Sequence, residues 1–174
     1  THAKIPQHFK AVDEAARAAL ARTACMLRPL APGRYVPPSL YHITLAFLGE
    51  TDAARLPAVR EAMEAAARRS RRFPLALGRL GAFGSVLWRG VEADGALPAL
   101  ALSLREELRA RAVPFDPKPL RAHITLARDA RLTEEARRLA LPEAVWQARS
   151  LTLYQSVRRE GALQYLPCAE AVLP

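Results

Sequence analysis

Cysteine is scarce: only Cys25 and Cys168 occur among 174 residues. They form no CxxC pair and no Cys/His cluster at ligand spacing, which excludes a disulfide framework and a zinc-finger type of site. A chain of this length buries enough surface to fold without either. Unpatterned thiols suit a reducing cytoplasm, and Cys25 reads as a small apolar core residue. Aromatic residues make up only 6% of the chain. No apolar run approaches the roughly 20 residues that cross a membrane. The opening Thr1-His2-Ala3-Lys4-Ile5-Pro6 has no apolar stretch of the signal-peptide kind. No Gly-rich loop opens a predicted helix, which disfavours a doubly wound dinucleotide fold. Negative charge is also short, with 17 Asp+Glu against 26 Lys+Arg and a formal net charge of +9. Lysine stands only at Lys4, Lys10 and Lys118, so arginine carries nearly all of it. Such an excess favours an anionic partner, although GC-rich coding also loads a surface with arginine.

What is present is ordinary globular material, 51% hydrophobic and 25% charged. Apolar spacing predicts a helix over Phe9–Leu27, followed by a loop containing Pro29, Pro32, Gly33, Pro37 and Pro38. Leu40–Leu48 reads as a strand. Asp52 caps a second predicted helix running to about Arg69. Phe73–Leu80 and Val86–Trp88 read as strands, and Leu97–Arg111 as a third helix. A second loop, with Pro114, Pro117 and Pro119, leads into a strand over Ala122–Arg128. A short helix is expected from Thr133 to about Leu141. Leu151–Tyr154 and Leu163–Leu166 read as a hairpin turning through Gly161. Helix, proline-rich loop, strand and helix thus recur. The order predicts an α+β architecture of two similar lobes, with helices packed on antiparallel sheets.

Inside that duplication lies a sharper one. His42-Ile43-Thr44-Leu45-Ala46 recurs letter for letter as His123-Ile124-Thr125-Leu126-Ala127, and it uses two of only four histidines. Side chains alternate along a strand, so His42 and Thr44 share one face, and His123 and Thr125 share another. A core strand duplicated for packing alone has no reason to keep a titratable group in register twice. Imidazole ionises near pH 6.5, so one histidine can accept a proton while the other donates one. In-line displacement at phosphorus needs those two functions on opposite sides of the phosphate. Threonine hydroxyls add donors for the non-bridging oxygens. The residues show no carboxylate cluster of the two-metal type.

At these residues the chain resembles the 2H phosphoesterase superfamily, and within it the RNA 2′,3′-cyclic phosphodiesterases, also called 2′-5′ RNA ligases. The resemblance rests on Leu40–Glu50 and Arg121–Arg128. It extends to Phe73-Pro74-Leu75, Phe83-Gly84, Trp88, Leu153–Ser156, Gly161 and Tyr165. Ala122 stands where the family has proline, and the N-terminal strand is a shortened, more polar version of the family's. The resemblance implies one domain over 1–174, made of two intertwined lobes around a central cleft. One lobe carries the motif at 42–45, the other the motif at 123–126. It implies hydrolysis of an RNA terminal 2′,3′-cyclic phosphate to a 2′-phosphomonoester, with no cofactor and no metal. Alternatives are 2′-5′ ligation, a small-molecule cyclic phosphodiesterase, or a non-catalytic RNA-binding module. The partner expected is RNA with a cyclic phosphate end or a cyclic nucleotide, for a cytoplasmic monomer with no membrane and no obligate protein partner. His42 and His123 are then the acid/base pair, read as His42 general acid and His123 general base with the reverse order as the alternative, and Thr44, Thr125 and Arg128 bind phosphate. Strict alternation turns Arg128 away from His123 unless the strand ends or bulges there. Tyr41 and Phe47 are candidates to stack a base, although parity groups Phe47 with Ile43 and Leu45 on the aliphatic face. The run Arg68-Arg69-Ser70-Arg71-Arg72 fits a solvated helix end better than an RNA track.

Overall fold

The computed structural model describes residues 5–9 and 12–174, with side chains from Val12 onward. In chain order the strands are β1 (Ile5–Phe9), β2 (Arg34–Tyr35), β3 (Gly49–Thr51), β4 (Phe73–Phe83), β5 (Val86–Glu92), β6 (His123–Arg128), β7 (Val145–Ala148), β8 (Ser150–Arg159) and β9 (Ala162–Val172). The helices are α1 (Glu14–Leu27), α2 (Leu56–Arg68), α3 (Ala96–Ala110) and α4 (Glu134–Arg137).

The strands form two sheets, ordered β3-β1-β8-β9 and β2-β6-β5-β4-β7. All pairings among the described strands are antiparallel. This is the α+β architecture that the element order predicts. The four-stranded sheet draws on both ends of the chain, so the polypeptide crosses between sheets more than once. β8 and β9 join through Glu160 and Gly161, whose φ values of 53° and 77° suit a tight primed hairpin turn.

Local chemistry explains the helices. The Asp13 side chain accepts from the Ala16 N–H at 2.9 Å and sets the start of α1. The predicted start at Phe9 is therefore early by more than a turn: Phe9 belongs to β1, and the cap decides over apolar spacing. α1 buries Ala16, Ala19, Leu20, Thr23, Ala24 and Leu27, while Cys25 faces outward and is not a core residue. Asp52 caps a 3-10 turn that leads into α2, with Pro57 tolerated in the first turn. α4 is shorter than expected and is capped by Thr133. β7 and the two residues of β2 fall in stretches that carry no strand pattern. Among the described residues no helix is long and apolar enough to cross a membrane.

The main core is contributed by α1, α2, α3 and both sheets, and Ala31, Leu87, Ala127 and Ala130 form a smaller cluster. Arg89 on β5 is buried, 3% exposed. Its guanidinium donates to Gly78 O at 2.9 Å, Thr23 Oγ1 at 3.1 Å and Pro142 O at 2.8 Å. Those neutral acceptors satisfy the buried donors and tie α1 to the five-stranded sheet.

Candidate active site

The two copies of the pentapeptide differ in secondary structure. His123–Arg128 is a ladder strand, β6, paired with β5 on one side and at its end with β2. His42–Leu48 is not a strand, contrary to its β-rich composition. It is an irregular stretch between a 3-10 turn at Pro38–Leu40 and β3. Other partners take its backbone groups. The Leu45 carbonyl accepts from Arg105 Nε at 3.2 Å, and the Phe47 carbonyl accepts from the Asp116 N–H at 2.8 Å.

Despite this, the side-chain pattern is the same. From His42 to Phe47, and again from His123 to Arg128, residues run half-buried, buried, half-buried, buried, buried, exposed. Alternation therefore slips once in each copy. In β6 the cause is a bulge: Trp88 pairs with Thr125 and Leu87 with Ala127, leaving Leu126 as the extra residue. The slip brings Arg128 onto the same side as His123. In the first copy a bend at Leu45 leaves Leu45 and Ala46 both buried, and Phe47 emerges 46% exposed. Phe47 is therefore not on the aliphatic face with Ile43 and Leu45, as strict alternation predicts.

Each histidine is held alike. His42 Nδ1 lies 2.8 Å from the Leu40 carbonyl, and His123 Nδ1 lies 2.5 Å from the Arg121 carbonyl. A carbonyl only accepts, so Nδ1 carries hydrogen in both rings and Nε2 is the nitrogen that exchanges a proton. An aromatic edge contact orients each ring. Tyr165 of β9 meets His42 at 5.4 Å between centroids, and Phe83 of β4 meets His123 at 5.2 Å. Trp88 adds a second contact to His123 at 6.2 Å. Burial lowers the His123 pKa below its ordinary value; Arg121 and Arg128 push it the same way, and the bond to the Arg121 carbonyl opposes them.

A cavity of about 650 Å³ joins the two copies. Thr44 and Phe47 line it from the first, His123 and Arg128 from the second. The remaining wall comes from Phe83, Arg105 and the loop before β6, including Asp116, Lys118 and Arg121. His42 and Thr125 are not among its lining residues; both are half-buried. Tyr41 is not available to stack on a base. It is 1% exposed in the core, and burial pushes its phenol up to about 12. The half-buried face of the first copy starts one residue later, at His42.

A family model described as LigT like Phosphoesterase matches residues 11–91, which include the first copy. A protein of Geobacillus stearothermophilus named RNA 2′,3′-cyclic phosphodiesterase is 37% identical over 127 residues, 67% of this chain and 40% of that protein. One of the same name from Thermus thermophilus is 37% identical over 128 residues, 67% of this chain and 64% of that protein. The chain thus spans less than two thirds of the length of these two curated relatives. The crystal structure of E. coli LigT in apo form superimposes with a TM-score of 0.82 at 26% identity, covering 99% of both chains. The same protein complexed with 3′-AMP gives 0.78 at 25% identity and 99% of both.

The chain carries a LigT-like phosphoesterase domain of the 2H superfamily.

Four residues of this phosphoesterase domain's site take roles that the sequence pattern does not assign. Arg105 bridges the two copies, since its Nη1 also donates to the Lys118 carbonyl at 2.7 Å. Phe83, Trp88 and Arg121 surround His123, with the Arg121 guanidinium 4.6 Å over the Phe83 ring. Only Arg121 carried a local signal, because residue i−2 shares a strand face with His123. The basic run before β4 is partly consumed by the fold. Arg69 pairs with Glu106 and Glu107 on α3, and Arg72 donates to the Leu173 carbonyl.

Proposed function

We propose that this chain hydrolyses the 2′,3′-cyclic phosphate at an RNA terminus to a 2′-phosphomonoester by paired-histidine general acid–base catalysis without a metal. The observation that carries the reading is the matched tautomer: each histidine commits Nδ1 to the carbonyl two residues back, which dedicates Nε2 to proton exchange. Neutral His123 takes a proton from water through Nε2 as the water oxygen bonds to phosphorus. The bond from phosphorus to O3′ breaks, and protonated His42 delivers the Nε2 proton to that oxygen. The bond to O2′ stays, so one water is added and no charge is left on the leaving oxygen. The lowered His123 pKa favours its assignment as the base, since a base must be unprotonated at working pH.

Thr44 and Thr125 donate hydroxyl hydrogens to the non-bridging oxygens, and the Arg128 guanidinium offsets the charge that builds there. Phe47 supports the nucleobase by stacking. The names of the two curated relatives, and the LigT complex with 3′-AMP, support a ribonucleotide substrate.

The test is turnover of a nucleoside or oligonucleotide 2′,3′-cyclic phosphate in excess EDTA, with the product isomer read by phosphorus NMR. The expected result is a 2′-monoester, with activity lost in His42→Ala and in His123→Ala. Full activity in either variant would overturn the two-histidine mechanism. Loss of activity in EDTA would overturn the metal-free part.

A further inference from the structure

The cavity carries more positive charge than a single cyclic phosphate calls for. That phosphate bears one negative charge, and Arg128 already faces it under the reading above. Arg105, Lys118 and Arg121 line the same cavity, against one acid, Asp116. Two of these groups are committed elsewhere. Arg105 donates to the Leu45 and Lys118 carbonyls, and Asp116 Oδ1 accepts from the Lys118 backbone N–H at 3.0 Å. Lys118 and Arg121 are left to face solvent. The Lys118 side chain is 86% exposed, with only a loose 3.8 Å approach to Asp116. Among the described residues Arg121 makes no ion pair; its planar group lies on the Phe83 ring. Elsewhere arginines do find acids, as Arg69 and Arg111 do on α2 and α3.

The wall that presents these cations is pinned. Pro114, Pro117 and Pro119 fix three φ angles within six residues. The Asp116 N–H bonds the Phe47 carbonyl, and Arg105 clamps the Lys118 carbonyl. The Phe83 ring, 4.6 Å from the Arg121 Cζ, also restrains that guanidinium, whose N–H donors suit paired bonds to a phosphate. Cations held this way lose little freedom on binding an anion.

We propose that the segment Phe115–Arg121, with the Phe83 ring, is a subsite for the RNA chain on the 5′ side of the terminal nucleotide, with Arg121 and Lys118 holding the phosphate that links the last two nucleosides. This rests on the reading that an RNA end is the substrate and assigns the next phosphate to specific residues. An oligonucleotide then gains contacts that a mononucleotide lacks, and the protein prefers a chain end to a free cyclic nucleotide.

The experiment compares adenosine 2′,3′-cyclic phosphate with a short oligoadenylate ending in the same group, for the unaltered chain, Arg121→Ala and Lys118→Ala. In parallel, fluorescence anisotropy follows binding of the oligoadenylate carrying a terminal 2′-phosphate, which needs no turnover. The expected result is a kcat/KM at least tenfold higher for the oligonucleotide, a ratio that drops severalfold or more in either variant. The log–log salt dependence of oligonucleotide binding falls by about 0.7 for each single-strand phosphate contact removed. A ratio unchanged in both variants, or an unchanged salt slope, overturns the subsite. No turnover of either substrate would overturn the hydrolytic reading instead, and the binding slope would still decide the subsite.

Discussion

Phe47 and Arg128 hold equivalent places, each five residues beyond its histidine, each exposed after two buried residues, and both on the wall of one cavity. The same slip in alternation delivers an aromatic ring from one copy and a cation from the other. A duplicated scaffold has thus become directional. The cation stands on the side of His123, where the proposed reaction needs charge on a phosphate oxygen offset. The ring stands on the side of Thr44, where a base can be supported.

Phe47→Ala tests the aromatic end. Base stacking contributes ~1–3 kcal/mol, so KM for a nucleoside 2′,3′-cyclic phosphate should rise about tenfold while kcat changes little. The melting temperature should hold, because the side chain is 46% exposed and adds little to the core. Steady-state kinetics together with a thermal melt separate this from a packing defect, which would lower the melting temperature and kcat together.

Arg128→Ala tests the other end. A hydrogen bond to a charged group is worth ~1.5–3 kcal/mol, so kcat/KM should fall by roughly 10- to 100-fold. Arg128→Lys should recover only part of the loss, since an ammonium keeps the charge but not the paired donors. Full activity in Arg128→Ala would remove this residue from the phosphate site.

The acid limb of the kcat/KM profile should report His123. Burial holds this imidazole below its ordinary range, with Arg121 and Arg128 adding to the effect. A base is active when unprotonated, so activity should decline only below pH 6.5, the unperturbed histidine value. Phe83→Ala removes the ring that meets His123 at 5.2 Å and lets in water. Desolvation then weakens, the histidine pKa rises, and the acid limb moves to higher pH. A limb that stays in place would show that Phe83 does not shield His123.

Gly81→Ala should damage the site from behind. A Cβ built at Gly81 would lie 2.3 Å from Trp88 Cη2, closer than any tolerated contact. Trp88 is 7% exposed and packs edge-on to His123, so it cannot swing away without disturbing that ring. Overpacking of this kind costs about 1–3 kcal/mol. Chemical denaturation should show the loss, and the activity of the fraction still folded should drop as well. A variant with native stability and activity would mean that Trp88 has room to move.

Much of this site is legible in the sequence because its parts are local. The repeated His-x-Thr pattern, the helix starts at Asp52 and Thr133, and the Gly161 turn all act within a few residues. What is not legible depends on partners far along the chain. His42–Leu48 has strand composition but no ladder, because Arg105 and Asp116, about 60 and 70 residues away, take its carbonyls. The bulge at Leu126 is set by how β6 registers on β5, and that register brings Arg128 to the cavity. Strict alternation turns both Phe47 and Arg128 the wrong way, one because of a bend at Leu45 and the other because of the bulge at Leu126.

Tyr41 offers a check on where the first half-site begins. Among the described residues its hydroxyl is buried without a hydrogen-bond partner, and the ring is 1% exposed. A buried unsatisfied hydroxyl costs ~1–3 kcal/mol, and Tyr41→Phe removes it while keeping the ring. The variant should therefore be as stable as the unaltered chain or more so, by up to about 1 kcal/mol in urea denaturation. Its KM for cyclic nucleotides should not change, since the ring does not reach the cavity. A raised KM with an unchanged melting temperature would instead return Tyr41 to the binding surface. That outcome would require the segment before His42 to open in solution.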